Sequence, residues 1–353
     1  MKKKFIFAGV CIVMLLVVIL TGCSLFESGS SFTEEEIVAP KLSVMGNVIS
    51  WGSVKNATLY EVYSNDKLVT TTGDNYYIAE KSSENKQFCI VAVDESSDKR
   101  SEESNKVMVY KQNGFSEDET MFVTLESGCY TIPATINYVT ISGTSSNAYF
   151  TIENRNTDLV IALNNVVLTS PDGEHCISTV DGSYDATAKR YAVIIDVNGV
   201  NSLTVGNKTS VPSQAAENSD KKGANGYNGG NALNLANIEI TGSGSLTLTG
   251  GSGGIGGQGA NATSGLHSPG EGGNGGKGGN GIATTKMLLC MESTGSVTAY
   301  GGQGGAGGSH GINGNAMTGI WNNLLGTLKN GSAGKAGTSM IGDIKIYGGV
   351  YTD

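Results

Sequence analysis

The chain has 353 residues, 52 of them glycine, and carries 23 Lys and Arg against 32 Asp and Glu, a formal charge of −9. That length is enough for two or three domains with cores of their own. The acidic balance argues against nucleic acid or an anionic membrane surface as the main partner, because both need a basic face; it fits neutral glycans, or acidic glycans bridged by a cation.

The chain opens with Lys2, Lys3 and Lys4, an apolar run from Phe5 to Leu20, and then "LTGC". Residues 1–22 therefore read as a signal peptide rather than as part of the fold, the run being a little short for a secure membrane span. "LTGC" resembles the lipobox of bacterial lipoproteins, which implies cleavage after Gly22 and a diacylglycerol on Cys23. An uncleaved anchor is the alternative. Either way the rest is expected outside the cytoplasmic membrane, at the cell surface, touching the membrane through its anchor only. Residues 23–37, with "SLFESGSSFTEEE", form a polar tether. Without the first 22 residues, which carry three lysines and no acid, the formal charge becomes −12. Cys11 leaves with the signal. Cys89, Cys129, Cys176 and Cys290 remain, each in an apolar stretch and none in a CxxC spacing, so zinc is not expected. Free buried thiols are the favoured reading, with disulfides as the alternative.

Residues 38–111 read as short alternating strands separated by turns. "NVISW" places Asn47, Ile49 and Trp51 on one face; "LYEVY" places Tyr60 and Val62 on one face and Glu61 and Tyr63 on the other. "SND" is a turn, and "FCIVAVDESSDKRSEESNKVMVY" supplies two more strands around a charged loop. With Trp51, the Tyr60–Val62 pair, "AVD" at 92–94 and "SN" at 104–105, the segment resembles a bacterial fibronectin type III domain. Phe88 departs from that pattern, standing where many such domains have a tyrosine that bonds back to the chain. The resemblance implies a spacer or an adhesion module, without catalysis.

From about Phe115 the segments "YVTISG", "AYFTIEN", "LVIALNNVVLTS" and "YAVIIDVNGVNSLTVGN" are rich in Val, Ile, Leu and Thr and show no long 3.6-residue period, so they are expected as strands. "NSLTVG" (201–206), "GSLTLTGG" (244–251), "GSVTAYGG" (295–302) and "GDIKIYGG" (342–349) repeat one motif at intervals of about 40 to 50 residues, the mark of stacked coils. Asn164, Asn165 and Asn198 are either stacked asparagine ladders or turn residues. "VTLESGCYTI", "FTIENRNTDLVIALNNVVLTS" and "VIIDVNGVNSLTVGN" together resemble the opening coils of bacterial secreted carbohydrate-binding right-handed β-helix proteins, over roughly residues 120–207. The resemblance implies binding of plant-type polysaccharide, in some members with calcium. The fold expected is therefore all-β: a fibronectin type III-like sandwich, then a right-handed parallel β-helix with its first coils over 112–222 and glycine-rich coils over 223–353.

Of the 52 glycines, 39 follow Lys222. Three runs are phased in triplets: 250–259, "GEGGNGGKGGNG" (270–281) and 301–309. Collagen is disfavoured by the lack of proline and by glycine at two positions in three, and no Walker-type spacing occurs. A threefold extended helix puts every third side chain on one edge: Ser252, Ile255 and Gln258; Asn274, Lys277 and Asn280; Gln303, Ala306 and Ser309. Polyglycine II packing of such arms, each of about twelve residues and roughly 37 Å, competes with a flexible linker. In "AMTGIWNNLLGTLKNG", Met317, Ile320, Leu324 and Leu328 keep a helical spacing.

No nucleophile motif accompanies His175, His267 or His310. Asp172, Glu174, Asp181 and Asp185, near turns and with Arg155 and Arg190 in the same region, are either solvated turn acids or a candidate calcium site. Trp321, Tyr300 and Tyr347 are the candidate carbohydrate-binding residues; Trp321 alternatively belongs to a short capping helix. The expected function is non-catalytic polysaccharide binding at the cell surface, with calcium the candidate cofactor. A structural adhesin or stalk is the alternative, and a polysaccharide lyase or hydrolase a third.

Overall fold

The computed structural model describes residues 36–182, 191–208, 214–217, 219, 221–262, 269–312 and 329–353. Cys23, Asp185, Arg190, His267 and the expected helix with Trp321 lie outside the described residues. Apart from one 3-10 turn, Glu117–Glu119, the described elements are β-strands.

The first eight strands are β1 (Ser43–Met45), β2 (Val48–Ser50), β3 (Leu59–Ser64), β4 (Lys67–Thr72), β5 (Tyr76–Ile78), β6 (Lys86–Asp94), β7 (Lys99–Arg100) and β8 (Val107–Val109). They form two antiparallel sheets, β1-β2-β5 and β4-β3-β6-β7, with β8 also on β6. This is the strand order of a fibronectin type III-like sandwich. The alternation explains the core: Ile49, Trp51, Tyr60, Val62, Phe88 and Ile90 are buried together, while Glu61 and Tyr63 face outward and bond to each other and to Arg100. The β3–β4 hairpin turns on Asn65 and Asp66, both at positive φ (48° and 62°), where Asn and Asp are the side chains that tolerate the left-handed region. Asn105 ties down the entry strand, its Oδ1 accepting from the Leu42 N–H (2.7 Å). Phe88 lacks a hydroxyl and instead packs its ring on Tyr77 (centroids 5.9 Å apart).

The rest is one curled sheet of parallel strands. Its elements are β9 (Thr120–Thr124), β10 (Gly128–Ile132), β11 (Tyr138–Ser145), β12 (Ala148–Ile152), β13 (Leu159–Ser170), β14 (Ile177–Thr179), β15 (Val193–Asn198), β16 (Val200–Val205), β17 (Leu233–Asn234), β18 (Asn237–Gly242), β19 (Ser245–Thr249), β20 (Ile282–Cys290), β21 (Ser296–Tyr300), β22 (Met340–Gly348) and β23 (Val350–Thr352). The pairings resolve into three ladders. The first runs β9, β11, β13, β15, β18, β20, β22. The second runs from the later halves of β11 and β13 through β16, β19, β21 and β23. The third runs β10, β12, β14, β17, β20 and β22.

All three ladders turn alternate side chains into a single core. Ile161, Ile195 and Ile240 stack in register in the first, and Leu203, Leu248 and Ala299 in the second. Asn164 and Asn198 also meet in register, whereas Asn165 sits at positive φ (53°) in a bulge within β13, where its pairing with β11 skips a residue, and accepts from the Val200 N–H (3.1 Å). The four remaining cysteines are free. Cys129, expected inside, is exposed, because β10 is an end strand of its ladder and residue 129 falls on the outer face of the alternation.

The glycine-rich sequence forms five arms that leave this sheet and return to it: residues 221–232, 250–262, 269–281, 301–312 and 329–339. The second and fourth follow β19 and β21 outward; the first, third and fifth lead back into β17, β20 and β22. They bond to one another at every third residue. Gly226 donates to Asn274 and Gly275 to Ser332, which lines up arms one, three and five in parallel; Gly253 donates to Gln303, which lines up arms two and four. Between these two layers the direction reverses: Gly251, Gly254 and Gly257 donate to Gly230, Tyr227 and Ala224. No room is left for side chains at these contacts. A Cβ on Gly276 would overlap the Tyr227 carbonyl, and one on Gly305 the Gly254 carbonyl. The third position of each triplet faces out.

Candidate functional site

The outer face of the first ladder is not left to solvent. Val160, Ile194, Glu239 and Leu288 follow one another across it in register, and Met45, Val48 and Ile78 of the sandwich pack there against Ala192, Leu288, Cys290 and Tyr347. Glu239 is fully buried under the β1–β2 turn. Its Oε2 accepts from the Asn47 N–H (2.9 Å), while Oε1 has no partner among the described residues. Burial pushes its pKa up to about 8 against that hydrogen bond. Gly46, at φ 56°, has to be glycine here: a Cβ would run into the Glu239 carboxylate. At the edge of the contact Lys81 pairs with Asp196 (2.9 Å).

Two clefts lie along this contact. The larger, of about 630 Å³, is walled by Trp51, Asn75 and Tyr76 of the sandwich, by Tyr347 and Lys345 of β22, and by Lys41 ahead of β1. The Tyr76 and Tyr347 rings meet at 45° with centroids 4.4 Å apart. Trp51 is held edge-on to Tyr60 (5.3 Å), and its indole N–H has no partner among the described residues. The smaller cleft, of about 310 Å³, has Asp158, Tyr191, Asn237 and Lys286 beside Met45 and Met108; burial raises the Asp158 pKa to about 6. A concave wall of aromatic side chains with a few polar groups suits a small or extended ligand, and the larger cleft has that composition.

The residues singled out in the sequence fall in different places. Tyr347 stands in the larger cleft. Tyr300, half exposed at the end of β21, lies at the root of the fourth arm, its carbonyl accepting from Gly250. Asp181 accepts from the Thr179 hydroxyl (2.6 Å), and Asp172 lies against Gly206. Among the described residues no group of three or more His, Cys, Asp or Glu stands close enough to hold a metal ion. Arg155 is buried and spends its donors on other groups: it donates to the Ile136 carbonyl (2.7 Å), Asn137 Oδ1 (2.6 Å) and the Thr157 carbonyl (2.9 Å). His175 is a structural acceptor, its Nδ1 taking the Asn231 N–H (2.8 Å), and burial lowers its pKa.

Sequence reasoning missed Lys41, Asn75, Tyr76 and Lys345. The available signal was the run "YAVIIDV" with "KMLLCM": apolar residues on both faces of a strand mean that both faces are covered.

No family model matches the chain, and no curated protein matches it. Among solved structures, the fibronectin(III)-like modules of Clostridium thermocellum CbhA match 22% of this chain and 94% of their own, at 17% identity and a TM-score of 0.17. FN3tt mut matches 21% of this chain and 90% of its own, at 24% identity and a TM-score of 0.15. Among the described residues no helix is long and apolar enough to cross a membrane.

Proposed function

We propose that the protein is a non-catalytic polysaccharide-binding lipoprotein of the cell surface, anchored through Cys23. In this reading the curled sheet is a right-handed parallel β-helix and the five arms are a polyglycine II bundle, which hold a binding face rigid and away from the membrane. One observation carries the binding role: the cleft between the sandwich and the last strands, where the Tyr76 and Tyr347 rings meet beside Trp51 and Asn75. An aromatic face is electron-rich and receives the C–H face of a pyranose, while Asn and Ser groups take hydroxyls. Calcium is not built into this proposal, because Asp172, Glu174 and Asp181 belong to no metal-holding group among the described residues; the chelator arm of the test measures any contribution it makes. The test is sedimentation of the mature protein with a panel of insoluble polysaccharides, with and without chelator. Saturable binding to at least one supports the reading; no binding to any, with the protein folded, overturns it.

The arms favour a second reading, a structural adhesin or stalk that contacts proteins or cells. Their outer edges repeat Asn, Lys, Ser and Thr at fixed three-residue steps, a surface suited to broad contact. Deleting the arm segments while keeping the sheet separates the two: glycan binding survives in the first reading, and cell adhesion is lost in the second.

A further inference from the structure

The larger cleft differs in charge from the chain that forms it. The protein as a whole is acidic, at −9, yet the charged side chains lining this cleft are Lys41 and Lys345, with no carboxylate among the described residues of its walls. Neither lysine is in an ion pair among the described residues, whereas Lys81, Arg100, Lys106 and Lys111 each have an acidic partner. The two come from opposite domains, Lys41 from the lead into β1 and Lys345 from β22, so docking of the sandwich on the sheet is what brings them to one cleft. A cleft with charge of one sign concentrates ligands of the other. Beside the lysines stand the rings of Tyr76 and Tyr347, 4.4 Å apart.

Resting on the glycan-binding reading above, we propose that this cleft selects an acidic polysaccharide built of uronate residues. A pyranose ring lies against Tyr76 and Tyr347, and its carboxylate sits with Lys41 and Lys345 directly, without a bridging cation. Trp51 in the same wall reports occupancy.

The experiment titrates the full mature protein with oligogalacturonate and, in parallel, with a neutral galacto-oligosaccharide of equal length. Both titrations are run in EDTA and read by tryptophan fluorescence and calorimetry. Oligogalacturonate is expected to bind in EDTA, more tightly than the neutral sugar, and to weaken as salt rises. Lys41→Gln and Lys345→Gln are each expected to weaken it about threefold, the scale of a solvent-exposed charge pair, and to leave neutral-sugar binding and the melting temperature unchanged. Both lysines are at the surface, so these variants keep the fold; Lys277→Gln, which removes an exposed lysine on the third arm that does not line the cleft, serves as the charge-matched control and is expected to bind normally. Equal binding of the two sugars, or loss of acidic-sugar binding in EDTA, overturns the anionic assignment and leaves the glycan reading standing. Binding of neither sugar, with no response to any other glycan, overturns both.

Discussion

The parallel region has two halves, its strands and its arms, that hold together by opposite means. In the strand half, side chains carry the stability: Ile161, Ile195 and Ile240 stack through successive strands in a closed apolar core. In the arm half there is almost no side-chain core. The chains approach until only hydrogen fits on Cα, and peptide groups bond directly from arm to arm. Both halves satisfy the backbone, as any buried segment must, but the first does so around apolar volume and the second by removing volume. The difference shows that a large-to-small change and a small-to-large change are the damaging substitutions of two neighbouring regions of one fold.

The sharpest way to break this comparison is to exchange the damage. Ile240→Ala in the strand half should cost about 2–5 kcal/mol, the range for truncating a buried aliphatic side chain. Gly276→Ala should cost at least as much, although it adds a single methyl. Arm three is flanked on several sides, and Gly276 both donates to Gly254 (2.8 Å) and accepts from Gly305 (2.8 Å). Its new Cβ would overlap the Tyr227 backbone, which cannot rotate away as a side chain can. Urea midpoints of the two variants at equal m-value measure the pair. A Gly276→Ala protein as stable as the parent would mean that the arms are not packed.

How much of this could be read beforehand follows the same division. The strand half was legible because apolar alternation and the recurring "GSLTLTGG"-type motif are strong local signals. The sandwich was legible from Trp51, Tyr60 and Val62, which are buried together as their alternation requires. Three arms were legible from doubled glycines, but the first and fifth were not. "GANGYNGG" and "GSAGKAG" have glycine at only one position in most triplets. The reason is their place at the ends of a layer: arms one and five have fewer neighbours, so fewer of their positions are crowded, and Ala224, Tyr227, Ala333 and Ala336 are accommodated. Glycine per triplet therefore reports how many sides of an arm are covered. The larger cleft was largely illegible, since Lys41, Tyr76 and Lys345 lie far apart in sequence and meet only through docking; Tyr347 stands out in the sequence because it closes a repeat.

Docking supplies the second test, because the strand half has a covered outer face that the arms lack. Glu239 lies on that face with Asn47 as its donor, and Lys81, Asp158 and Cys290 are the titratable groups that act on it or respond to it. Burial raises its pKa from an ordinary 4.5 to about 8. The folded state thus holds this proton more tightly than the unfolded state. Glu239's contribution to stability is full below about pH 4.5 and is lost as the pH rises through about 8. Glu239→Gln removes the charge and keeps an acceptor for Asn47. It should raise stability by on the order of 1–3 kcal/mol at pH 8 and do little at pH 4.5. Thermal melts of parent and variant across this window are the measurement. A variant whose advantage does not grow with pH would show that the carboxylate is not confined under the sandwich.

The smallest expected effects sharpen the comparison within the arms. Every third residue points out, and there the backbone N–H meets a side chain of the neighbouring arm and not its carbonyl. Asparagine fills that gap: the N–H groups of Asn274, Lys277 and Asn280 donate to Oδ1 of Asn225, Asn228 and Asn231 (3.0, 2.9 and 2.8 Å). The fifth arm repeats this, with Ser332 and Thr338 donating to Asn274 and Asn280. Asn280 is therefore both donor and acceptor in a chain of amides, whereas the Lys277 side chain only reaches solvent. Asn280→Ala should cost about 1 kcal/mol, the net worth of a hydrogen bond left unmade at a part-buried site. Lys277→Ala should stay within about 0.5 kcal/mol of the parent, as an exposed substitution does. Hydrogen exchange at the Thr338 amide distinguishes them more finely than a melt, because that amide loses its acceptor only in the Asn280 variant. Equal protection in both variants would mean that the outer amides are held by water, and that the arms owe their order to the glycine contacts alone.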